Sequence, residues 1–190
     1  MFKSKLCPRG LRSLIAAYRQ RIVAILAIVA GALIVPFSIA PALATTGDLT
    51  CTAVFQINFS PALTVANTTS KASAVVGLSN CVSLNGRFSG LKAATMTGSG
   101  PATSGLGAPC SLLVTIPFKF HIDWSNGQHS DLSATVNSNP LAGSIGFNGV
   151  VTGGVLSGDN VNALGPVVPN VDCLLNGLTS LIGANQKVFS

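Results

Sequence analysis

The sequence predicts an all-β protein, namely an antiparallel β-sandwich of about 7–9 short strands. Three observations predict this class. Apolar and polar residues alternate along several segments, which is the period of a strand with one buried face. Gly, Ser, Thr, Asn and Pro cluster between these segments, and such clusters form turns. Four cysteines follow an export leader, which indicates two disulfides.

Residues 1–44 have the three parts of a secretory signal peptide. Six of the eleven basic residues precede an apolar run at residues 22–35, and Ala42-Leu43-Ala44 forms a cleavage site of small residues. The sequence therefore predicts a helical signal peptide cleaved after Ala44. It predicts a single secreted β domain at 45–190, extracellular or associated with the cell envelope. An uncleaved anchor is the alternative, but the run is shorter than the ~20 residues that span a bilayer. Membrane contact is thus expected only before cleavage.

The predicted secreted domain has no excess charge. Five basic and five acidic residues remain at 45–190, so the net charge is zero when both histidines are neutral. Because no basic patch remains to contact phosphate groups, we exclude nucleic acid as a partner. Glu is absent, which argues against long amphipathic helices, since their solvent faces usually carry Glu and Lys.

Four cysteines of the predicted domain, Cys51, Cys81, Cys110 and Cys173, allow three disulfide pairings. They are far apart in the sequence, whereas zinc sites use closely spaced pairs. Cys51 opens one alternating segment and Cys81 closes the next, so their outer ends would meet in an antiparallel pair. The favoured pairing is therefore Cys51–Cys81 and Cys110–Cys173.

The first half of the domain contains one clear strand and two weaker ones. Cys51–Phe59 alternates strictly, and Ser60-Pro61 is expected to end it. A second strand is predicted at Ala72–Leu78. A third is predicted at Gly86–Gly100, weakened by its glycines, and a loop is expected to follow as far as Pro109.

The second half contains the strongest strand pattern, Leu112–Trp124. Pro117 within it indicates an edge strand or a bulge, and a protected edge favours a monomer. Ser125–Gln128 is predicted to turn the chain. Further strands are predicted at His129–Val136, Ile145–Leu156 and Gln186–Phe189, with Leu174–Ile182 ambiguous.

The order of several short motifs resembles a group of small secreted proteins from actinobacteria. The pattern comprises the four cysteines, Ser60-Pro61-Ala62-Leu63, Trp124-Ser125-Asn126-Gly127, Gly149-Val150-Val151-Thr152-Gly153-Gly154, Gly158-Asp159 and Gly177-Leu178. It extends over nearly the whole of 45–190. The resemblance implies an actinobacterial origin, export and a β-sandwich-like fold of unknown function, and it supplies no catalytic residues.

Four residues whose side chains can bind metals or transfer protons lie close to the predicted turn in the sequence: His121, Asp123, His129 and Asp131. A two-residue loop at Asn126-Gly127 would turn His129 and Asp131 toward the core, which is unfavourable for polar side chains.

A loop longer by one residue, with Gly127 at a position of positive φ, avoids this burial. It pairs Ile122 with Leu132 and Phe120 with Ala134, and it leaves all four polar side chains outside. Asp123 then faces Asp131. Facing carboxylates are destabilising, and a protonated histidine or a bound cation would relieve them.

Three interpretations of this His–Asp cluster remain open. The four residues form a solvated polar face, bind a divalent transition metal, or act as general acid and base. Elsewhere no Ser lies in a G-x-S-x-G elbow, and Gly149–Gly158 lacks the Lys of a phosphate loop. Trp124 falls on the inward face, so we expect it in the core.

We therefore expect a non-catalytic module that binds an extracellular or cell-envelope ligand or has a structural role. No cofactor is expected apart from the divalent metal of the second interpretation. The alternative is a small metal-dependent or carbohydrate-active extracellular enzyme that uses the outer face bearing His121, Asp123, His129 and Asp131.

Overall fold

The computed structural model describes residues 48–105, 110 and 113–190. The predicted signal peptide lies outside the described residues and stays a prediction. Among the described residues, no helix has the length and apolar character needed to cross a membrane.

Eight antiparallel strands follow one another in the described part of the chain, with one short helix before the last strand. The strands are β1 (Leu49–Leu63), β2 (Thr69–Val82), β3 (Ala94–Ser104), β4 (Val114–Trp124), β5 (His129–Asn139), β6 (Ser144–Gly154), β7 (Asn160–Pro169) and β8 (Leu178–Phe189). The helix α1 is Cys173–Asn176.

The strands close into a barrel. Each strand pairs with the next, and β8 returns to pair with β1 from Leu49 opposite Phe189 to Asn58 opposite Ser180. The all-β class, the antiparallel pairing and the strand number are confirmed, but the predicted sandwich is wrong. Alternation along a strand is the same in both architectures, and only the pairing of the first and last strands distinguishes them.

Alternate side chains fill the interior of the barrel. Phe118 and Phe120 of β4 both point inward, with ring centroids 4.7 Å apart, and Phe147 of β6 packs 5.8 Å from Phe120. Aliphatic residues from all eight strands complete this core. Burial of this apolar surface provides the main driving force for folding. The outward positions of the same strands carry mostly polar residues, among them the predicted cluster.

Several predicted strand limits are corrected. β1 continues past Ser60-Pro61 to Leu63, where it pairs with Leu178 of β8. Residues 86–93, expected to belong to the third strand, form turns and a loop, and β3 begins at Ala94. β3 then runs to Ser104 through residues predicted as a loop. Glycine and proline obscured these limits because such residues mark turns in most sequences.

Pro117 lies at neither an edge nor a bulge. It is opposite Thr135 in the continuous β4–β5 ladder, while the β3–β4 ladder lacks pairs between Ser99 and Thr103. Gly100 approaches Pro117 so closely there that a Cβ on Gly100 would lie 1.9 Å from the Pro117 carbonyl oxygen. The barrel thus accommodates a proline by local loss of ladder pairs against a glycine of the neighbouring strand.

β7 was missed from the sequence, and the first part of β8 lies in the segment Leu174–Ile182 that was left ambiguous. Their segments are rich in Gly, Pro and Asn, and only Gln186–Phe189 was predicted as a strand. Pairing with β6 and β1 holds these segments extended, because their backbone groups find partners on those neighbours.

Both disulfides of the favoured pairing are present. Cys51–Cys81 joins β1 to β2 beside a register irregularity between Thr50 and Thr52. Cys110–Cys173 joins the β3–β4 connection to α1. Two disulfides are compatible with an extracellular location, since such bonds persist in oxidising environments.

Candidate functional site

The β4–β5 hairpin positions the predicted His–Asp cluster. Trp124 donates its backbone N–H to Gln128, and Gly127 donates to the Trp124 carbonyl. Gly127 has a φ of 84°, so a glycine is favoured at this point of the turn. The predicted register implies a three-residue loop at 126–128 with Gly127 at positive φ. The loop has this length and this glycine, but it comprises residues 125–127 and so begins one residue earlier.

This earlier start changes the register. The predicted pairs Ile122–Leu132 and Phe120–Ala134 are wrong, since Ile122 is opposite Ser130 and Phe120 is opposite Leu132. The shift is two residues, so the outward positions stay outward. The partners of the polar residues do change.

Each histidine of the cluster faces an aspartate across the two strands. His121 is opposite Asp131, and His129 is opposite Asp123. The expected Asp123–Asp131 repulsion is therefore absent from the facing positions. This removes the argument for a bound cation that rested on facing carboxylates, because each carboxylate faces an imidazole instead.

His121 lies between two carboxylates. Its Nδ1 is 2.8 Å from Oδ1 of Asp131, and its Nε2 is 3.3 Å from Oδ1 of Asp123. The hydrogen bond to Asp131 is the main cause that raises the pKa of His121 above 6.5, and the charge of Asp123 adds to it. The imidazolium form is thus favoured, although all three side chains are largely exposed.

His129 completes the cluster beside His121, with the two imidazole rings stacked and their centroids 5.8 Å apart. Among the described residues, no group of three or more His, Cys, Asp or Glu side chains is arranged to hold a metal ion.

The surface around His121 is open rather than a cleft. A shallow depression beside it is lined by Thr97, Ser99, Lys119 and Asp131. A substrate here would keep most of its hydration, whereas catalytic groups usually act where water is excluded. The arrangement suits proton exchange or the binding of a polar surface.

Trp124 lies in the core, as predicted. Its indole N–H donates to Oγ of Ser130 at 3.0 Å, and Ser130 in turn donates to the Val155 carbonyl at 2.6 Å. The polar edge of the ring is therefore satisfied internally. Trp124 does not reach the surface, so it is excluded as a stacking platform for a sugar.

One end of the barrel carries large exposed apolar side chains that the sequence did not single out. We call this the apolar end, and it comprises Val65, Leu113, Leu141, Val171, Leu174 and Leu175. These residues belong to the β1–β2, β3–β4, β5–β6 and β7–β8 connections, which an up-and-down barrel brings to the same end. Sequence reasoning missed them because each connection contributes only one to three members.

The apolar end is built on a well-anchored loop. Oδ1 of Asn170 accepts the backbone N–H of Thr179 at 2.9 Å, and its Nδ2 donates to the Gly177 carbonyl at 3.1 Å. The disulfide at Cys173 fastens the same loop. Leu174 and Leu175 are 84% and 88% exposed on this anchored turn.

Charge is nearly absent from the four connections at the apolar end. Their sequences contain one ionisable group, Asp172, apart from the disulfide cysteines. Hydrogen bonds from Asn176 and Asn170 lower the pKa of this carboxyl, because the two side-chain amides stabilise its ionised form. The opposite end, by contrast, carries Arg87 and Lys92 in its β2–β3 connection.

The barrel interior contains a lysine that the sequence interpretation overlooked. Lys187 of β8 is only 2% exposed, and its Nζ lies 3.4 Å from the centroid of the Phe147 ring. Burial lowers its pKa to about 7. The burial of Lys187 could have been predicted from the sequence. Lys187 and Phe189 are two residues apart in the predicted Gln186–Phe189 strand, so their side chains lie on the same, inward face.

A small cavity of about 20 Å³ adjoins Lys187. Its wall is mainly aromatic and aliphatic, and Asn185 is its only other polar lining residue in the part of the chain that the structure describes. Oδ1 of Asn185 is buried and has no hydrogen-bond partner among residues 48–105, 110 and 113–190. Buried polar atoms are rarely left unpaired, so these two residues distinguish the cavity from ordinary core packing.

The comparisons with protein-family models, with curated proteins and with solved structures find no match to this chain.

Proposed function

We propose that this chain is an exported, non-catalytic β-barrel module that associates with the cell envelope through its apolar end. The observation that carries this proposal is the exposure of large apolar side chains on four connections at one end of the barrel. Soluble proteins rarely expose such patches unless they are interaction sites.

The occupant that we propose for the apolar end is an apolar lipid layer of the envelope. The four connections carry one charged residue, Asp172, so an uncharged layer complements them. Val171, Leu174 and Leu175 are almost fully exposed, and Leu174 and Leu175 line an open depression together with Val65. Burial of one fully exposed Leu side chain stabilises by about 1.5–3 kcal/mol, and several together give measurable reversible binding. From the sequence we expected membrane contact only before cleavage of the signal peptide. The proposal differs, because it assigns lipid contact to the β domain itself.

The non-catalytic part of the proposal is supported by the exposed position of the His–Asp cluster. Both nitrogens of His121 lie within 3.3 Å of carboxylate oxygens, and the surrounding surface is open. Catalysis by this imidazole would require a substrate to displace Asp123 on a solvated strand surface.

Co-sedimentation with lipid vesicles tests the role of the apolar end. We expect the wild-type protein to sediment with vesicles of neutral lipid, and Leu174→Asp or Leu175→Asp to weaken the affinity for the vesicles about tenfold. Leu164→Asp is the matched control, because Leu164 is 77% exposed on strand β7, away from that end. Equal binding by all variants, or no binding by the wild type, would contradict the proposal.

Export is tested separately by fractionation of the producing cells and intact mass. We expect a species that begins at Thr45 and is lighter than the reduced chain by the hydrogens of two disulfides. Recovery of a species that retains Met1 in the membrane fraction would instead identify the leader as an anchor.

A metal-dependent or carbohydrate-active enzyme is the second candidate function. The observation in its favour is the 3.3 Å distance between Nε2 of His121 and Oδ1 of Asp123, with His129 alongside. Two ligands of one zinc or copper ion lie about this far apart when each bond is about 2.1 Å. An equimolar metal that is lost in the double variant His121→Ala/His129→Ala would support the metal-dependent form of this function, and metal-free native protein would exclude that form.

A further inference from the structure

We propose that the interior cavity beside Lys187 is a binding site for a small aldehyde, which the lysine amine holds as an imine. This inference is independent of the apolar end. It rests on a buried amine, an apolar cavity and an unpaired amide oxygen, all on the inner side of the barrel wall.

Among the described residues, no acidic side chain lines the cavity beside Lys187. The lining residues are aromatic or aliphatic except for Lys187 and Asn185, and the face of the Phe147 ring lies against the amine. A buried lysine whose only role is structural normally pairs with a carboxylate or reaches water with its head group. The absence of a carboxylate from this lining leaves the amine free for a ligand.

The apolar wall favours a neutral ligand over an anion. Burial lowers the pKa of Lys187 to about 7, so the uncharged amine, which is the nucleophilic form, is well populated at neutral pH. A carboxylate ligand would place two charges in an apolar interior, and their desolvation is costly. An amine and an aldehyde instead give an imine without any net charge.

Formation of the imine needs only the lysine amine and the aldehyde, and it releases one water molecule. The lone pair of Nζ attacks the carbonyl carbon, and a proton moves from nitrogen to oxygen to give a carbinolamine. Loss of water then forms the C=N bond. Oδ1 of Asn185, which lacks a partner, is available to accept the hydrogen bond of the carbinolamine hydroxyl.

The size of the cavity restricts the ligand to a short chain. About 20 Å³ is the space of one or two water molecules, which suits an aldehyde of one or two carbons. The β7–β8 ladder lacks pairs between Asn162 and Val167, alongside Asn185 and Lys187. This section of wall has fewer backbone hydrogen bonds to break, and β7 and β8 are in close contact there at Gly165, so we assign ligand entry to its local opening.

Reductive alkylation with acetaldehyde and cyanoborohydride at pH 7 tests the site. At this pH a substantial fraction of Lys187 is neutral, since its pKa is lowered to about 7, whereas less than about 0.1% of a lysine with the ordinary pKa of 10.4 is neutral. We expect one ethyl group on Lys187 by peptide mapping, at least about tenfold faster than on exposed Lys71, Lys92 or Lys119. The α-amine, with an ordinary pKa near 8, is the internal reference for reagent activity.

Lys187→Met is the control variant, because methionine has a similar length and suits an apolar core. It should lose the fast ethylation and keep that of the α-amine. Asn185→Leu should slow labelling of Lys187 severalfold while the exposed lysines keep their rates. Labelling of the α-amine without Lys187, or labelling of Lys187 only in denaturant, would overturn the proposal. Equal rates for Lys187 and the exposed lysines would overturn it as well.

Discussion

His121 shows how neighbouring residues set the protonation of one side chain. Its two ring nitrogens face Asp131 and Asp123, and the pKa of the imidazole is raised above 6.5 mainly by the hydrogen bond to Asp131. Because the folded-state value is the higher one, the protonated ring stabilises the fold. This stabilisation is fully present below pH 6.5 and is lost as the pH rises through the folded pKa.

We therefore predict that the His121 ring protons titrate above pH 6.5 in an NMR experiment. Asp131→Asn should lower this pKa more than Asp123→Asn, since the Asp131 hydrogen bond is the larger cause. Asp172→Asn, at the far end of the barrel, is the control and should leave the pKa unchanged. A wild-type value at or below 6.5 would contradict the interpretation of the cluster.

At this scale the sequence identified the cluster but could not determine its partners. The alternation of β4 and β5 was sufficient to place His121, Asp123, His129 and Asp131 outside. Which residues face each other depends on where the loop begins, and a shift of that start by one residue moves the register by two. The sequence gives little indication of this choice, because several loops of similar length can use Gly127.

At the element scale, strands β3 and β4 depend on a glycine for their close approach. A Cβ on Gly100 would lie 1.9 Å from the Pro117 carbonyl oxygen, far inside contact distance. Proline at this point cannot donate to the ladder, so packing of the two backbones takes the place of hydrogen bonds. The glycine of this predicted strand is therefore part of the sheet rather than a sign that the strand ends.

We predict that Gly100→Ala lowers the free energy of unfolding by about 1–3 kcal/mol, because the backbones must separate to admit the methyl group. Chemical denaturation provides the measurement. Gly77→Ala is the matched control, since an added Cβ on this outward residue of β2 meets nothing within 4 Å. The effects of the two substitutions should differ by at least about 1 kcal/mol, and equal effects would refute the role of close approach.

At the scale of the whole molecule, closure between β1 and β8 removes the free edges that a sandwich would have. The two strands pair along most of their length, so no strand among the described residues lacks a neighbour on either side. Closed sheets leave no unpaired row of backbone groups for another chain to join. The proposed interaction surface therefore lies at an end of the barrel rather than along a strand edge.

Hydrogen exchange distinguishes the closed barrel from an open sandwich. We predict that successive β1 amides from Ala53 to Ile57 are all protected, because their neighbours on both sides provide partners. Among residues 163–165, the amides that point toward β8 should exchange at least about tenfold faster, since the β7–β8 ladder is interrupted there, whereas those that point toward β6 have partners. Rapid exchange at alternate β1 amides would indicate a free edge and contradict closure.

The sequence by itself determined the all-β class, the favoured disulfide pairing, the inward position of Trp124 and the outward position of the His–Asp cluster. These properties follow from local alternation and cysteine placement, which a chain carries along its own length. Tertiary structure decided the closure of the barrel, the partners of His121, the burial of Lys187 and the assembly of the apolar end. Each of these depends on which distant segments meet, and the free energy of that choice comes from packing and pairing between strands far apart in the chain.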